Sequence, residues 1–598
     1  MVLTALRKSV VLLVIGLIGI IYSQVVGFDF IWDDSVFLVD SSTLRSDSWY
    51  AILTEPFIMS VNYYRPLVVF SFFLDGRLSD FDASFMHGTN LLIFGLNVYL
   101  VWHLAKRFAS HLQFLDDHSK TIFPYLVTMV YFVHPANIES AAWVSGRFDL
   151  LVTFFLLSCL LVDGSSIRPQ FRYPLLFSCY LAACLSKEMA VSFPLLVFLW
   201  HFVVSESTST FSGRFWVAHF RRNGLTYAVL LAAGLSYLGI RYAALGYLLE
   251  DASTDHIGDG VQHFLLVSKA YGMYLFSSLL PFAYSSPIHK EYFPISYDDR
   301  LAVVSALIMI AAFLGAVIFV QRRRVYAVLY LLFFISLLPV LHVKVMPIYE
   351  NIIQERFLAF PLVFLSMLLV AVFLRIATAV EASRFIRGSV LALFSFWVAA
   401  SLFILSTQLP MWQNNHVFWA WAREKAPDSV VANVNLAVMT LDKGDVEKAI
   451  YYAKTANYLE PGRLSGAIVL ANAHMQKKEF DLAEATVKEL LASERYLSSS
   501  EVKEAVNTLG LISLRSGDYE KAEEIFRDIL GSDKYYHQAM INLGSALYCL
   551  GNVEEANEYW NKSLSLLHSE KRDQYKQQFD RIMAKGVDCV KSSAEAEE

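Results

Sequence analysis

Gly444-Asp445-Val446-Glu447-Lys448-Ala449 recurs through the C-terminal part of the chain. It returns as Lys478-Glu479-Phe480-Asp481-Leu482-Ala483, as Gly517-Asp518-Tyr519-Glu520-Lys521-Ala522, and as Gly551-Asn552-Val553-Glu554-Glu555-Ala556. The closing alanines stand 34, 39 and 34 residues apart. Before each turn runs a first helix with a small/large rhythm, as in Asn435-Leu436-Ala437 and Asn542-Leu543-Gly544-Ser545-Ala546. After it runs a second helix with Ala where helices pack closely, as at Ala449 and Ala456. Pro461 closes the first unit, and the 39-residue step is a 34-residue period with an insertion near Leu497-Ser498-Ser499-Ser500. One helix–turn–helix unit cannot bury its apolar face alone, so the period predicts about four stacked units over residues 430–570. Residues 411–429 read as a linker and first helix, and 571–598 as a frayed tail ending Glu595-Ala596-Glu597-Glu598.

This period resembles that of the tetratricopeptide repeats, and such arrays use a concave groove to bind a partner. Docking onto the rest of the chain alone would satisfy the same pattern.

The remainder obeys a different solvent. Apolar residues make up 56% of the 598-residue chain and charged residues 17%, against roughly 45–50% and 25% in a soluble chain. The imbalance is local. Residues 1–410 hold 27 Lys+Arg and 26 Asp+Glu, whereas residues 411–598 hold 22 and 29. The first part cannot present a water-soluble surface. Neither part has the basic excess of a nucleic-acid binder. Twenty apolar residues span a bilayer, and candidate spans fall near 9–26, 86–105, 122–138, 146–163, 173–189, 190–205, 224–244, 301–320, 325–342, 357–375 and 389–407. The first reads as an uncleaved anchor, because Ser23-Gln24-Val25 is a poor cleavage site. The fold expected is all-α: a multipass membrane bundle of about eleven spans over 1–410, then a soluble repeat solenoid.

Basic loops orient it. Arg7/Lys8, Lys106/Arg107, Arg168/Arg172, Arg214/Arg221/Arg222, Arg322/Arg323/Arg324 and Arg375/Arg384/Arg387 share the cytoplasmic side. Residues 27–85, 135–145, the turn around Lys187-Glu188, 245–300, 343–356 and everything after about 408 then lie outside the cytoplasm. Residues 264–283 read as interfacial or re-entrant and kinked at Pro281, with a twelfth span as the alternative.

Charges at span ends are costly and concentrate on that outer face. Phe28-Asp29-Phe30-Ile31-Trp32-Asp33-Asp34 places two carboxylates beside aromatics, suited to a general base or a metal ligand. Arg65 in Tyr64-Arg65-Pro66-Leu67, Arg147, Lys187 and Arg356 form a cationic set that suits a phosphate. Glu139, Glu188 and Glu355 stand beside them, and pairing with these carboxylates and with Asp33 and Asp34 is the alternative use of the cations. Cys159, Cys179 and Cys184 fall within spans, Cys549 and Cys589 stand far apart, and no metal spacing of cysteines exists. His87, His103 and His342 read as packed rather than ligating, and Asn561-Lys562-Ser563 fits a glycosylation acceptor. No phosphate-binding loop, dinucleotide fingerprint or nucleophile elbow is present.

Taken in order, Trp32-Asp33-Asp34, Tyr64-Arg65-Pro66-Leu67, His134-Pro135 with Glu139, Ser186-Lys187-Glu188 and Glu355-Arg356-Phe357-Leu358 with Pro361, followed by the repeats, resemble a known set. They are similar to the transmembrane-and-TPR protein O-mannosyltransferases and their bacterial relatives, of the GT-C glycosyltransferase superfamily. Gly146-Arg147-Phe148-Asp149 departs from the bacterial pattern, and the array is shorter than in the animal enzymes. The resemblance implies an inverting membrane transferase. It would move a sugar from a polyprenyl-phosphate donor to a Ser or Thr hydroxyl of a protein held by the repeats. It also implies that the catalytic acidic pair is Asp33 and Asp34, with Asp33 the first choice of base. Arg65, Glu139, Arg147, Lys187, Glu188, Glu355 and Arg356 would bind substrate. A divalent cation (Mg or Mn) on Asp33, Asp34 and Glu139, or no metal at all, is equally compatible. The expected setting is a bacterial inner membrane with periplasmic repeats, or an endoplasmic reticulum membrane with luminal repeats. A transporter or flippase, or a non-catalytic membrane scaffold, are the competing readings.

Overall fold

The computed structural model describes residues 8–34, 37–38, 44, 49–54, 63–204, 213–248, 258–282, 287–290, 294–319, 324–343, 351–379, 383–493, 498–566, 569–585 and 589. Arg7, Asn62, Arg322, Arg323, Leu497 and the acidic end of the chain lie outside them, as do the side chains of Arg214 and Arg324. The regular structure of the described residues is helical, apart from one isolated bridge between Lys290 and Asn351. The chain divides into two compact units, Met1–Phe418 and Trp419–Glu598.

In the first unit every expected span overlaps a helix. Among the described residues, seven helical stretches are long and apolar enough to cross a membrane: Lys8–Gly27, Ala83–Ala109, Val144–Asp163, Phe215–Leu245, Arg300–Phe319, Pro361–Thr378 and Arg384–Trp412. They make this unit a multipass membrane domain. The other four expected spans fall on shorter or more polar helices, such as Asp117–Val133 and Phe193–Val204. Eleven full spans are therefore not reached by this measure. Residues 264–283 change too. Helix Gly260–Leu279 ends before Pro281, so that proline follows the helix rather than kinking it.

The second unit is a stack of helix pairs: Val430–Asp442 with Val446–Leu459, Leu464–Gln476 with Phe480–Leu491, Ser499–Ser516 with Tyr519–Ser532, and His537–Cys549 with Val553–Leu566. Small residues let the paired helices approach. A Cβ on Gly510 would lie 2.6 Å from the Phe526 ring, and one on Gly544 would collide with Trp560. Asp445 and Asp518 cap second helices by accepting from the backbone N–H of Lys448 and Lys521. The preceding turn needs a left-handed residue, which Gly444, Gly517 and Gly551 supply at φ 79°, 92° and 86°. The second repeat uses Lys478 there, at φ 61°. A left-handed conformation costs a non-glycine residue about 1–2 kcal/mol. Lys478→Gly should therefore raise the stability of the array, by about 1 kcal/mol once the extra unfolded-state entropy of glycine is offset. Slower amide exchange in helices Leu464–Gln476 and Phe480–Leu491 of the full chain checks this.

The described part of the C-terminal stretch is not frayed. Residues Ser569–Lys585 form a further helix. Phe579 stacks on Trp560 at 4.7 Å, and the Tyr548 hydroxyl donates to the Ile582 carbonyl. Cys549 and Cys589, 40 residues apart in sequence, are joined as a disulfide. Sequence distance misled here, because the added helix folds the chain back to the end of His537–Cys549.

Candidate functional site

Helices of the first unit bring most of the expected residues into one polar cluster. Trp32 starts it. Its backbone is left-handed (φ 54°), an outlier for a bulky aromatic. Its ring stacks on Trp143 at 5.2 Å. Asp34 follows and is fully buried. One of its oxygens accepts from both the backbone N–H (3.0 Å) and the hydroxyl (2.6 Å) of Ser145, and the other from the Ile31 N–H (3.3 Å). Burial pushes its carboxyl up to about 7 and the adjacent Asp33 adds to this, while those hydrogen bonds pull it down. Asp33 differs. It is half-buried, and among the described residues no group hydrogen-bonds its carboxylate. Burial pushes its carboxyl up to about 6, and the Arg356 charge draws it back.

The short helix Asn137–Ala142 presents Glu139, because the chain turns back tightly after it. A Cβ on Gly146 would lie 2.5 Å from the Ser140 carbonyl, so only glycine permits that turn. Glu139 accepts from the Arg356 backbone N–H at 2.9 Å and pairs with the Arg356 guanidinium. That guanidinium lies over the Trp143 ring, 4.9 Å from its centroid, and its Nε is 3.8 Å from Asp149. Lys187 places its ammonium on both Asp149 oxygens, at 2.6 and 2.7 Å, and over the Phe357 ring. Arg65 pairs with Glu188 at 2.8 Å and stacks over Tyr63. Arg241 also faces Glu188, at 3.6 Å. Glu355 accepts from the Ser277 hydroxyl at 3.3 Å, and burial with the neighbouring Glu139 charge holds its carboxyl well above the usual range.

Arg147 is placed elsewhere. It is fully buried, and its donors go to Asp75 (2.6 Å), Asn90 (2.6 Å), the Met86 carbonyl (2.9 Å) and Ser71 (3.5 Å). Asn90 in turn donates to the carbonyls of Trp143 and Val144, both at 3.0 Å. The expected substrate-binding role does not fit a guanidinium spent inside the bundle; Arg147 fixes the Trp143–Ser145 turn on which Asp34 hangs.

The suggested metal ligands do not fit an ion. Among the described residues no three His, Cys, Asp or Glu side chains are arranged to hold one. Arg356 occupies Glu139 and Ser145 occupies Asp34, which leaves Asp33 as the open carboxylate of the three.

Asp75, Asn90, Asp149, Ser145 and Arg241 complete these contacts, although sequence reasoning gave none of them a site role. Asp75 carried a legible signal: a lone acid inside the apolar run of Pro66–Ser79 demands a buried partner. Asn90 and Ser145 carried none, since amides and hydroxyls are common in helices and turns.

The tetratricopeptide-repeat family matches residues 468–537 and 508–564. The second unit carries tetratricopeptide repeats. Part of the chain is similar to protein O-mannosyl-transferases, as its motif order suggested. One from Caenorhabditis elegans is 26% identical over 30% of this chain and 26% of its own length. TMTC4 of Mus musculus is 31% identical over 25% of this chain and 22% of its own length, and TMTC3 of Homo sapiens 26% identical over 26% and 17%. The matches thus span at most about a quarter of the relatives. Among solved structures, MamA is 20% identical over 27% of this chain and 87% of its own, at a TM-score of 0.21. PilF of Pseudomonas aeruginosa is 18% identical over 31% and 88%, at 0.23.

Proposed function

We propose that this protein is a membrane glycosyltransferase that moves a sugar from a polyprenyl-phosphate donor to a Ser or Thr hydroxyl of a protein acceptor. The observation that carries the reading is the contrast between the two adjacent acids. Asp34 is consumed by Ser145 and Ile31, while Asp33 keeps open oxygens beside the Arg356 charge. A hydroxyl attacking an anomeric carbon needs a base to take its proton, and a carboxyl titrating near 6 is charged at neutral pH yet basic enough to serve. The leaving lipid phosphate gathers negative charge as the glycosidic bond breaks. Arg356, Lys187 and Arg65, with Arg241 added by the structure, supply cations where that charge develops. One displacement inverts the anomeric configuration. The names of the similar proteins support mannosyl transfer to a protein oxygen.

In this reading the tetratricopeptide repeats hold the acceptor and raise its concentration near the site. Both the array and the site face away from the cytoplasm, in a bacterial periplasm or an endoplasmic reticulum lumen. The Cys549–Cys589 disulfide supports this side, since such bonds persist in oxidising compartments. In intact cells, a membrane-permeant thiol reagent should leave both cysteines unlabelled until a reductant is added. Labelling before reduction would move the array to the cytoplasm. The activity itself is tested with purified protein, a synthetic polyprenyl phosphate mannose and Ser/Thr peptides, read by mass spectrometry. Lipid flux in proteoliposomes without sugar transfer would overturn it in favour of a flippase.

A further inference from the structure

We infer that Asn415 is a positioning residue for Asp33, a role that deepens the transferase reading and rests on it. The side chain of Asp33 has no hydrogen bond of its own among the described residues, so its aim depends on its two neighbours. Asp34 is tied on one side to Ser145. Trp32, on the other, sits in the left-handed region at φ 54°, where a large side chain does not settle without support. The support is specific. The Trp32 backbone N–H donates to the Asn415 side-chain oxygen at 2.7 Å, across 383 residues of sequence.

Three further observations give Asn415 this task. Asn414, not Asn415, caps helix Asn415–Lys425, accepting from the Val417 N–H at 3.1 Å. The Asn415 side chain therefore serves Trp32 rather than its own helix. The same segment grips the turn a second time, since the Asp29 N–H donates to the Gln413 carbonyl at 2.9 Å. It also closes on the Trp32 ring, with Phe418 at 5.6 Å from Trp32 and 4.9 Å from Trp412. Asp33 is thus aimed by the segment that follows the last membrane helix.

The test uses the full chain and three variants. Asn415→Leu keeps volume and removes the acceptor; Asn415→Asp keeps an acceptor; Asp33→Asn probes the base. A small misplacement of a reacting group costs up to about 100-fold. We expect Asn415→Leu to lower kcat by about 10- to 100-fold with KM for donor and acceptor unchanged, and Asn415→Asp to stay within about threefold of the parent. Hydrogen exchange gives a readout independent of activity. The Trp32 amide should be protected in the parent and in Asn415→Asp, and exposed in Asn415→Leu. A protected Trp32 amide in Asn415→Leu, an unprotected one in the parent, or equal loss of rate in Asn415→Asp and Asn415→Leu overturns the proposal. Full activity of Asp33→Asn sinks the base assignment instead, while the exchange result still decides whether Asn415 holds the turn.

Discussion

Asp33→Asn should lose sugar transfer by roughly 100- to 10,000-fold, the range that a positioned general base contributes. The variant keeps shape and removes only the proton acceptor. Because no group among the described residues bonds the Asp33 carboxylate, the substitution breaks no internal contact, and donor binding and thermal stability should hold. The pH profile carries the sign. The base must be ionised, and its carboxyl is pushed up to about 6. The rate of the parent should therefore rise as pH climbs through about 6 and level off above it. Residual activity of Asp33→Asn should lack that limb. Asp34→Asn makes the contrast. Its carboxylate serves Ser145 and Ile31, so its replacement should cost stability, about 1–3 kcal/mol for groups left unpaired. A rate that falls across this window, or an active Asp33→Asn, contradicts the mechanism.

Arg147→Met should fail differently, by loss of the folded membrane unit. Removing one partner of a buried ion pair strands the other, at about 3–5 kcal/mol. Here the stranded group is Asp75, and Asn90 loses a donor as well. Arg147→Met combined with Asp75→Leu should recover much of the stability, because replacing both partners by apolar groups removes the uncompensated charge. Thermal unfolding of purified protein in detergent distinguishes the two. A well-folded Arg147→Met with weakened donor binding would return this arginine to the substrate site.

These two arginine and aspartate contrasts show where sequence reading stops. The array was legible because a 34-residue period is written in small residues such as Ala449 and Gly544, which sterics place where helices touch. The apolar helices were legible because solvent fixes their composition. The outer cations were recognisable as a class, yet not by role. Arg147 and Arg356 look alike in sequence, and only the fold shows that Asp75 and Asn90 surround one of them. Asp33 and Asp34 are neighbours, and only the Ser145 turn separates an engaged acid from an open one. The disulfide was illegible because the intervening helices decide which cysteines meet.

The cations of the cluster are already matched by acids: Arg356 by Glu139, Lys187 by Asp149, Arg65 by Glu188. That arrangement bears on turnover. A nest of unmatched positive charge would clasp the departing lipid phosphate as firmly as the transition state, and each cycle would stall on its own product. In the proposed transfer, resident carboxylates ready to reclaim their partners would release the spent carrier by exchange, and inorganic phosphate in the surroundings should find little to inhibit.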